Sequence, residues 1–250
     1  MIWVILGLVS VLLATYVLLT MRWLWRAPPK TRHIVIGDEA TLFVSDLHIE
    51  EPTDVPDELR NAVERHRPVN LVIVGDLFHS PFKVSSDEET RTFLTDMMAK
   101  ADVEGRIRRV LVTLSENHDR RFSGQEMAFR SGDREVLLTR SPLFLDISGL
   151  KVLAVHGDFF SADGFVTAAA ELAFSVIGIR GGVERFLRRR FGLDDRCWIV
   201  MGHTHIPLID QNLRVANSGS FHSHFLRSAS STAVLVKDGD VSLVSAPSNR

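Results

Sequence analysis

The sequence predicts an α/β fold with mixed sheets, and three observations predict it. Short, continuous apolar runs such as Leu71–Val74 and Val110–Leu114 alternate with longer segments of helical periodicity. Runs of that kind, without polar alternation, suit strands buried on both faces. Later in the chain, paired apolar runs flank Ser148-Gly149 and Asp238-Gly239-Asp240, turns that join antiparallel strands.

The elements follow in order. Ile2 to Thr20 carries no charged residue and is rich in Leu, Val and Ile. That length suits a membrane-crossing helix. Trp3 at one end, and Trp23 and Trp25 at the other, stand where interfacial aromatics anchor such helices. Arg22, Arg26, Lys30 and Arg32 follow the run and no Lys or Arg precedes it, so the positive-inside rule places the remainder in the cytoplasm. A buried core helix is the alternative, although no polar face appears. The expected organisation is a single-pass transmembrane anchor over 1–26, a stiff linker over 27–32 containing Pro28-Pro29, and one cytoplasmic domain over 33–250.

Within that domain, His33–Ile36 and Thr41–Ser45 read as a hairpin around residues 37–40. Asp54 or Thr53 is a candidate cap for a helix with Pro56 in its first turn and Leu59, Ala62, Val63 and His66 on one face. A polar helix is expected from about Ser86 to Ala101, and a strand over Ile199–Met201. Residues 161–192 break the alternation as a helical insertion. Its first half is apolar almost all round. Its second half interleaves Arg180, Arg185, Arg188, Arg189 and Arg190 with Val183, Phe186, Leu187 and Phe191. Such a stretch either lies on an anionic membrane or packs as a helical pair on its own domain.

Composition narrows the partners. The 250 residues carry a net charge of −2, without the basic footprint of a nucleic-acid binder, so no nucleic-acid partner is expected. Cys197 is the only cysteine, which excludes an internal disulfide and reads as a small buried hydrophobe near Trp198. Oligomeric state is left open.

Five patches carry chemistry: Asp46-Leu47-His48, Gly75-Asp76, Asn117-His118-Asp119, His156-Gly157-Asp158 and Gly202-His203-Thr204-His205. Each follows a short apolar run, so each sits at a strand end, where open α/β sheets build their sites. Phosphate esters and anhydrides hydrolyse slowly because an anionic centre repels its nucleophile. Two divalent ions neutralise that charge and lower the pKa of a bound water. Such a site needs a carboxylate shared by both ions, for which Asp76 is the candidate, with His, Asp and Asn completing each shell. Mixed nitrogen and oxygen ligation suits Mn²⁺ best among the options, with Fe, Zn²⁺ or Mg²⁺ as alternatives.

Taken together, these patches resemble the calcineurin-like metallophosphoesterase superfamily, over nearly all of residues 41–221. The resemblance implies a sandwich of two mixed β-sheets flanked by helices. It implies one ion held by Asp46, His48, Asp76 and His205, and another by Asp76, Asn117, His156 and His203. It gives His118 the role of stabilising the phosphate or protonating the leaving group, with Asp119 as an orienting partner. Glu116 stands where the superfamily usually has glycine. Within it, Leu42 to His48, Gly75-Asp76-Leu77-Phe78, His156-Gly157-Asp158, Met201 to Pro207 and Asn217-Ser218-Gly219-Ser220 are most similar to UDP-2,3-diacylglucosamine pyrophosphatases. Those enzymes hold acyl chains in a helical insertion at the same place. They typically have Arg where this chain has His118 and Ile206.

The implied function is a membrane-anchored, dinuclear-metal hydrolase of a phosphoanhydride or phosphodiester, on a phosphate-containing substrate of the lipid-linked nucleotide type. Two alternatives stay open: a phosphodiesterase or phosphatase for soluble nucleotides or phosphoproteins, and a non-catalytic scaffold on the same fold. Flanking the motifs, His79 reads as a surface-loop residue, and one of His222 and His224 is a candidate to line the cleft.

Overall fold

A computed structural model of the chain describes residues 2–21, 26–79, 83–119, 121–223 and 228–245, with side chains from residue 7 onward. Arg22, Trp23, Trp25 and His224 lie outside the described residues, as does the side chain of Trp3.

Two mixed sheets form the centre. The first runs β1 (Arg32–Gly37), β7 (Leu143–Ile147), β8 (Leu150–Val155), β9 (Trp198–Met201), β11 (Val215–Asn217) and β10 (Leu208–Asp210). The second runs β13 (Asp240–Ser245), β12 (Thr232–Lys237), β2 (Thr41–Val44), β3 (Asn70–Val74), β4 (Arg109–Thr113), β6 (Arg134–Thr139) and β5 (Glu126–Ser131). Strands β2, β3, β4 and β6 are mutually parallel, as are β8, β9 and β11.

Alternation along the strands assembles the layers. Phe43, Val72, Val74 and Leu111 of the second sheet meet Leu145, Val152, Ala154 and Val200 of the first between the sheets. Leu42, Leu71, Ile73 and Val112 point the other way, onto α2 (Asp57–His66) and α3 (Asp87–Ala101). Leu153, Val155, Ile199 and Met201 face α4 (Gly164–Val176) and α5 (Gly182–Arg190). Four layers result, helices outside and sheets within.

Local chemistry explains the boundaries. Ser86 caps α3: its Oγ accepts from the Glu89 N–H at 3.2 Å and the Glu89 carboxylate accepts from the Ser86 N–H at 2.7 Å. The β12–β13 hairpin turns through Asp238 and Gly239, both at positive φ. Glu171 of α4 receives the backbone N–H groups of Gly181, Gly182 and Val183, which caps α5 and breaks the insertion into two helices.

Two expectations are corrected. Residues 33–36 and 41–45 do not form a hairpin. β1 pairs in parallel with β7 while β2 enters the other sheet, so residues 38–40 carry the chain from one sheet to the other. The second correction concerns α1 (Ile2–Thr20). Among the described residues, no helix is long and apolar enough to cross a membrane. Its described side chains are mostly apolar and exposed. Its C-terminal end is tied to the domain: the Tyr16 hydroxyl donates to Asp163, and the Ala162 N–H donates to Thr20 O at 2.7 Å. The expectation of a single-pass anchor, with the cytoplasmic placement inferred from it, is overturned.

Candidate metal centre

The polar side chains of the site leave the C-terminal ends of five strands. Asp46 and His48 follow β2, Asp76 follows β3, and Asn117 and His118 follow β4; His156 follows β8, and His203 and His205 follow β9. The second sheet therefore supplies five of these residues and the first sheet three. Pairing continues past the strand ends: the Asp46 N–H donates to Gly75 O, and the His48 N–H donates to Asp76 O at 3.0 Å. Leu47, between the two ligands, is buried in the core and fixes the alternation that aims them.

Asp46, His48, Asp76, His203 and His205 all adopt positive φ, between 48° and 80°. Side-chain-bearing residues rarely occupy that region, and each departure stores about 1 kcal/mol or more. These five are half of the ten non-glycine residues at positive φ among the described residues. Gly75 and Gly202 make room for them. A Cβ on Gly75 would lie 2.3 Å from the His156 ring, and one on Gly202 would lie 2.4 Å from Ser45 Oγ.

Two groups of ligating atoms result: Asp46, His48 and His205, and Asp76, His156 and His203. His205 Nε2 lies 3.1 Å from Asp46 Oδ1. Asp76 reaches both groups, with Oδ1 3.3 Å from His156 Nε2 and Oδ2 3.7 Å from His48 Nε2. Two ligands at about 2.1 Å from one ion lie about 3.0 to 3.4 Å apart.

Hydrogen bonds to the rings set which nitrogens are available. His156 Nδ1 donates to Val74 O at 2.9 Å and His203 Nε2 donates to Ser161 O at 3.0 Å. That leaves His156 Nε2 and His203 Nδ1 facing each other at 3.0 Å. Nitrogens at that distance need either a proton between them or a cation between or beside them. His48 Nε2 and Asn117 Oδ1 are buried without a hydrogen-bond partner, while Asp46 Oδ1 and Asp76 Oδ1 face the His205 and His156 rings at 3.1 and 3.3 Å. Buried polar atoms left unpaired are strongly destabilising. The residues present therefore fit two divalent ions.

Electrostatics divide the four rings: against burial, the charge and hydrogen bond of Asp76 raise His156 well above the ordinary imidazole value, and those of Asp46 raise His205. Burial works to raise the Asp46 carboxyl, but the hydrogen bond and charge of His205 outweigh it and hold it down at about 2. Burial lowers His48 to about 4, and burial together with His156 lowers His203 to about 3, so both rings are neutral and ready to ligate.

Asn117 is half-buried. Its Nδ2 donates to Ala162 O at 3.2 Å, which fixes the amide so that Oδ1 is the free end. His118 stands edge-on to His48, with ring centres 4.8 Å apart, and its Nδ1 is buried without a partner. Asp119 does not orient it. The Asp119 oxygens accept from the backbone N–H groups of Phe78 at 2.9 Å and Ser115 at 2.8 Å, so the carboxylate braces the loop. Burial, then the charge of Asp76, pushes Asp119 up to about 7. Glu116, in place of glycine, has no positive φ; its N–H donates to Asp158 and its carboxylate pairs with Arg26 at 2.6 Å, so nothing in the turn requires glycine.

Other contributors went unread in the sequence. Ser45 Oγ donates to Asp46 Oδ2 at 2.5 Å and contacts Ser218 Oγ at 2.7 Å. Arg140 donates to the carbonyls of Ser115, Asp119, Phe122 and Gly124, lacing together the loop that carries Asn117 and His118. Only the place of Ser218 within Asn217-Ser218-Gly219-Ser220 hinted at the first.

No family model and no curated protein matches the sequence. Among solved structures, a conserved uncharacterised protein from Streptococcus pneumoniae TIGR4, described as a predicted phosphoesterase, is similar with a TM-score of 0.38 and 12% identity, covering 83% of this chain and 89% of that one. Yfce, a phosphoesterase from E. coli, gives 0.37 and 14%, covering 83% of this chain and 100% of that one. Vps29 from Entamoeba histolytica, complexed with Zn²⁺, gives 0.37 and 14%, covering 82% and 97%. At scores this low the likeness lends no weight to the chemistry, which rests on the side-chain geometry.

Proposed function

We propose that this chain is a metal-dependent hydrolase of phosphoester or phosphoanhydride bonds. The observation that carries this reading is Asp76, whose two oxygens face the two ligand groups separately. Asp46, His48, Asp76 and His205 would hold one ion, and Asp76, Asn117, His156 and His203 the other. When bound, the pair supplies Lewis-acid neutralisation of phosphoryl oxygens and an acidified water. The protein's own groups do the rest. Val74 O and Ser161 O fix the tautomers of His156 and His203. Ala162 O fixes the Asn117 amide. His118, beside His48, donates a hydrogen bond to the phosphoryl group and delivers a proton to the departing oxygen.

A finer reading is an amphiphilic substrate of the UDP-2,3-diacylglucosamine type. What supports it is α4, which starts against His203 and carries exposed Phe165, Leu172 and Val176. Mn²⁺ is the first ion to supply, given the mixed ligand set.

The test is hydrolysis of bis(p-nitrophenyl) phosphate by the purified chain, with Mn²⁺ and then with a chelator. Metal-dependent turnover, lost in Asp76→Ala, is the expected result. Metal-dependent turnover that survives in Asp76→Ala sinks the assignment. UMP release from UDP-2,3-diacylglucosamine well above that from UDP-glucose bears on the finer reading.

A further inference from the structure

Two histidines beside the site have no part in this mechanism. The His79 N–H donates to Ile49 O at 3.2 Å, just past His48. The His222 N–H donates to Ser220 Oγ at 3.0 Å, and that hydroxyl lies 3.2 Å from Asp46 O. Phe221, between them, donates its own N–H to Asp46 O. Both rings are thus carried on backbone fastened to residues 46–49, from two widely separated points in the sequence. Their centres lie 5.4 Å apart at a 45° tilt; His222 is 5.1 Å and His79 6.0 Å from the His48 ring. His222 is half-buried and His79 exposed, so the pair forms a step from the metal centre to solvent.

Among the described residues, only the two groups already named gather ligating atoms closely enough for an ion, and each contains a carboxylate. His79 and His222 offer imidazole N–H donors instead. Tilted rings at this separation can converge on one oxygen, because each N–H···O contact needs about 2.8 Å beyond the ring edge.

We infer that His79 and His222 form an oxyanion subsite on the open side of the Asp46–His48–His205 group, holding an anionic group of the substrate next to the phosphorus under attack. This rests on the hydrolase reading and adds a selectivity to it: two adjacent anionic groups are preferred over one. Specificity of that kind is a ratio of affinities, so it is read as one.

The test uses the full chain loaded with Mn²⁺ at fixed free metal. Calorimetry gives Kd for inorganic pyrophosphate and for orthophosphate, in wild type, His79→Ala, His222→Ala and the double variant. Bound manganese is counted in each. The preference for pyrophosphate should fall about tenfold in the double variant, with manganese content at the wild-type level. The ratio of kcat/KM for a nucleoside diphosphate ester over bis(p-nitrophenyl) phosphate should fall with it. An unchanged preference overturns the subsite. So does loss of manganese in His222→Ala, which would make that ring a ligand. A wild type that binds manganese and prefers pyrophosphate but hydrolyses neither ester would overturn the hydrolase reading and leave the subsite standing.

Discussion

Asp46, His48 and His205 face a rim of imidazoles that reaches solvent, whereas Asp76, His156 and His203 lie beneath residues 156–164 with scarcely any exposed surface. The His205 side chain is 17% exposed and that of His156 only 1%. Donor types in the two groups are alike, a carboxylate and two imidazoles each. What differs is the enclosure. A buried set with tautomers locked by Val74 O and Ser161 O is preorganised to keep an ion. A set opening on His118, His222 and His79 is placed to meet a substrate. Similar ligands can thus be assigned holding and exchanging roles by their surroundings alone.

That contrast can be broken or sharpened. The largest effect is expected from Asp76→Ala, which removes the carboxylate reaching both groups. Turnover should fall about a thousandfold or more, about 4 kcal/mol of barrier, and metal analysis should show fewer ions per chain. Next come His48→Ala and His203→Ala, compared by bound metal and by the rate of release to a chelator. His48→Ala should keep one slowly released ion; His203→Ala should lose it. Equal losses in both would end the distinction. Protons compete with metal for imidazoles, so acidification should release metal, measured as metal retained after dialysis at falling pH.

Smaller, and confined to the enclosed side, is Gly75→Ala. A methyl there meets His156 at 2.3 Å in a φ of +73°. Strain and overpacking together predict about 2 to 4 kcal/mol of destabilisation by denaturant titration, with weaker metal retention.

The smallest effect concerns Glu184, which is buried behind the same side and hydrogen-bonded at 3.4 Å to Asn217. Burial, then the charge of Glu171, raises its carboxyl from 4.5 to about 7. A folded-state pKa above the unfolded one adds stability that is complete below about pH 4.5 and lost as pH rises through about 7. Glu184→Gln removes that dependence. Its melting temperature should exceed wild type at pH 8 by a few degrees, with the advantage fading by pH 5, for a ceiling of about 3 kcal/mol. A constant difference at both pH values would mean that the carboxyl is not the cause.

The sequence made the parallel strands and their ends legible, because burial on both faces leaves unbroken apolar runs such as Leu71–Val74. It also made the turn at Asp238-Gly239 legible, because few residues tolerate that geometry. It misled at residues 37–40, where a loop between two sheets and a hairpin turn share the same small polar residues. The β5–β6 hairpin was missed because its strands mix charges with apolar residues at a sheet edge. In the site, the motif residues converge as pairs and clusters. The second contacts of Asp119 and Arg140 were not readable, since they go to backbone carbonyls and amides that carry no residue signature.

The division of ligands between sheets has a consequence for how the protein matures. When residues 41–119 have left the ribosome, Asp46, His48, Asp76 and Asn117 exist, but the strands bearing their imidazole partners do not. Metal capture at full affinity waits until His205 has emerged and β9 has joined β8. At about 5 to 20 residues per second, about ten to thirty seconds separate the first carboxylate from the last histidine. During that interval a nascent chain presents Asp46, His48 and Asp76 without the histidines they meet in the fold, so any metal this site takes would be selected only once the two halves close.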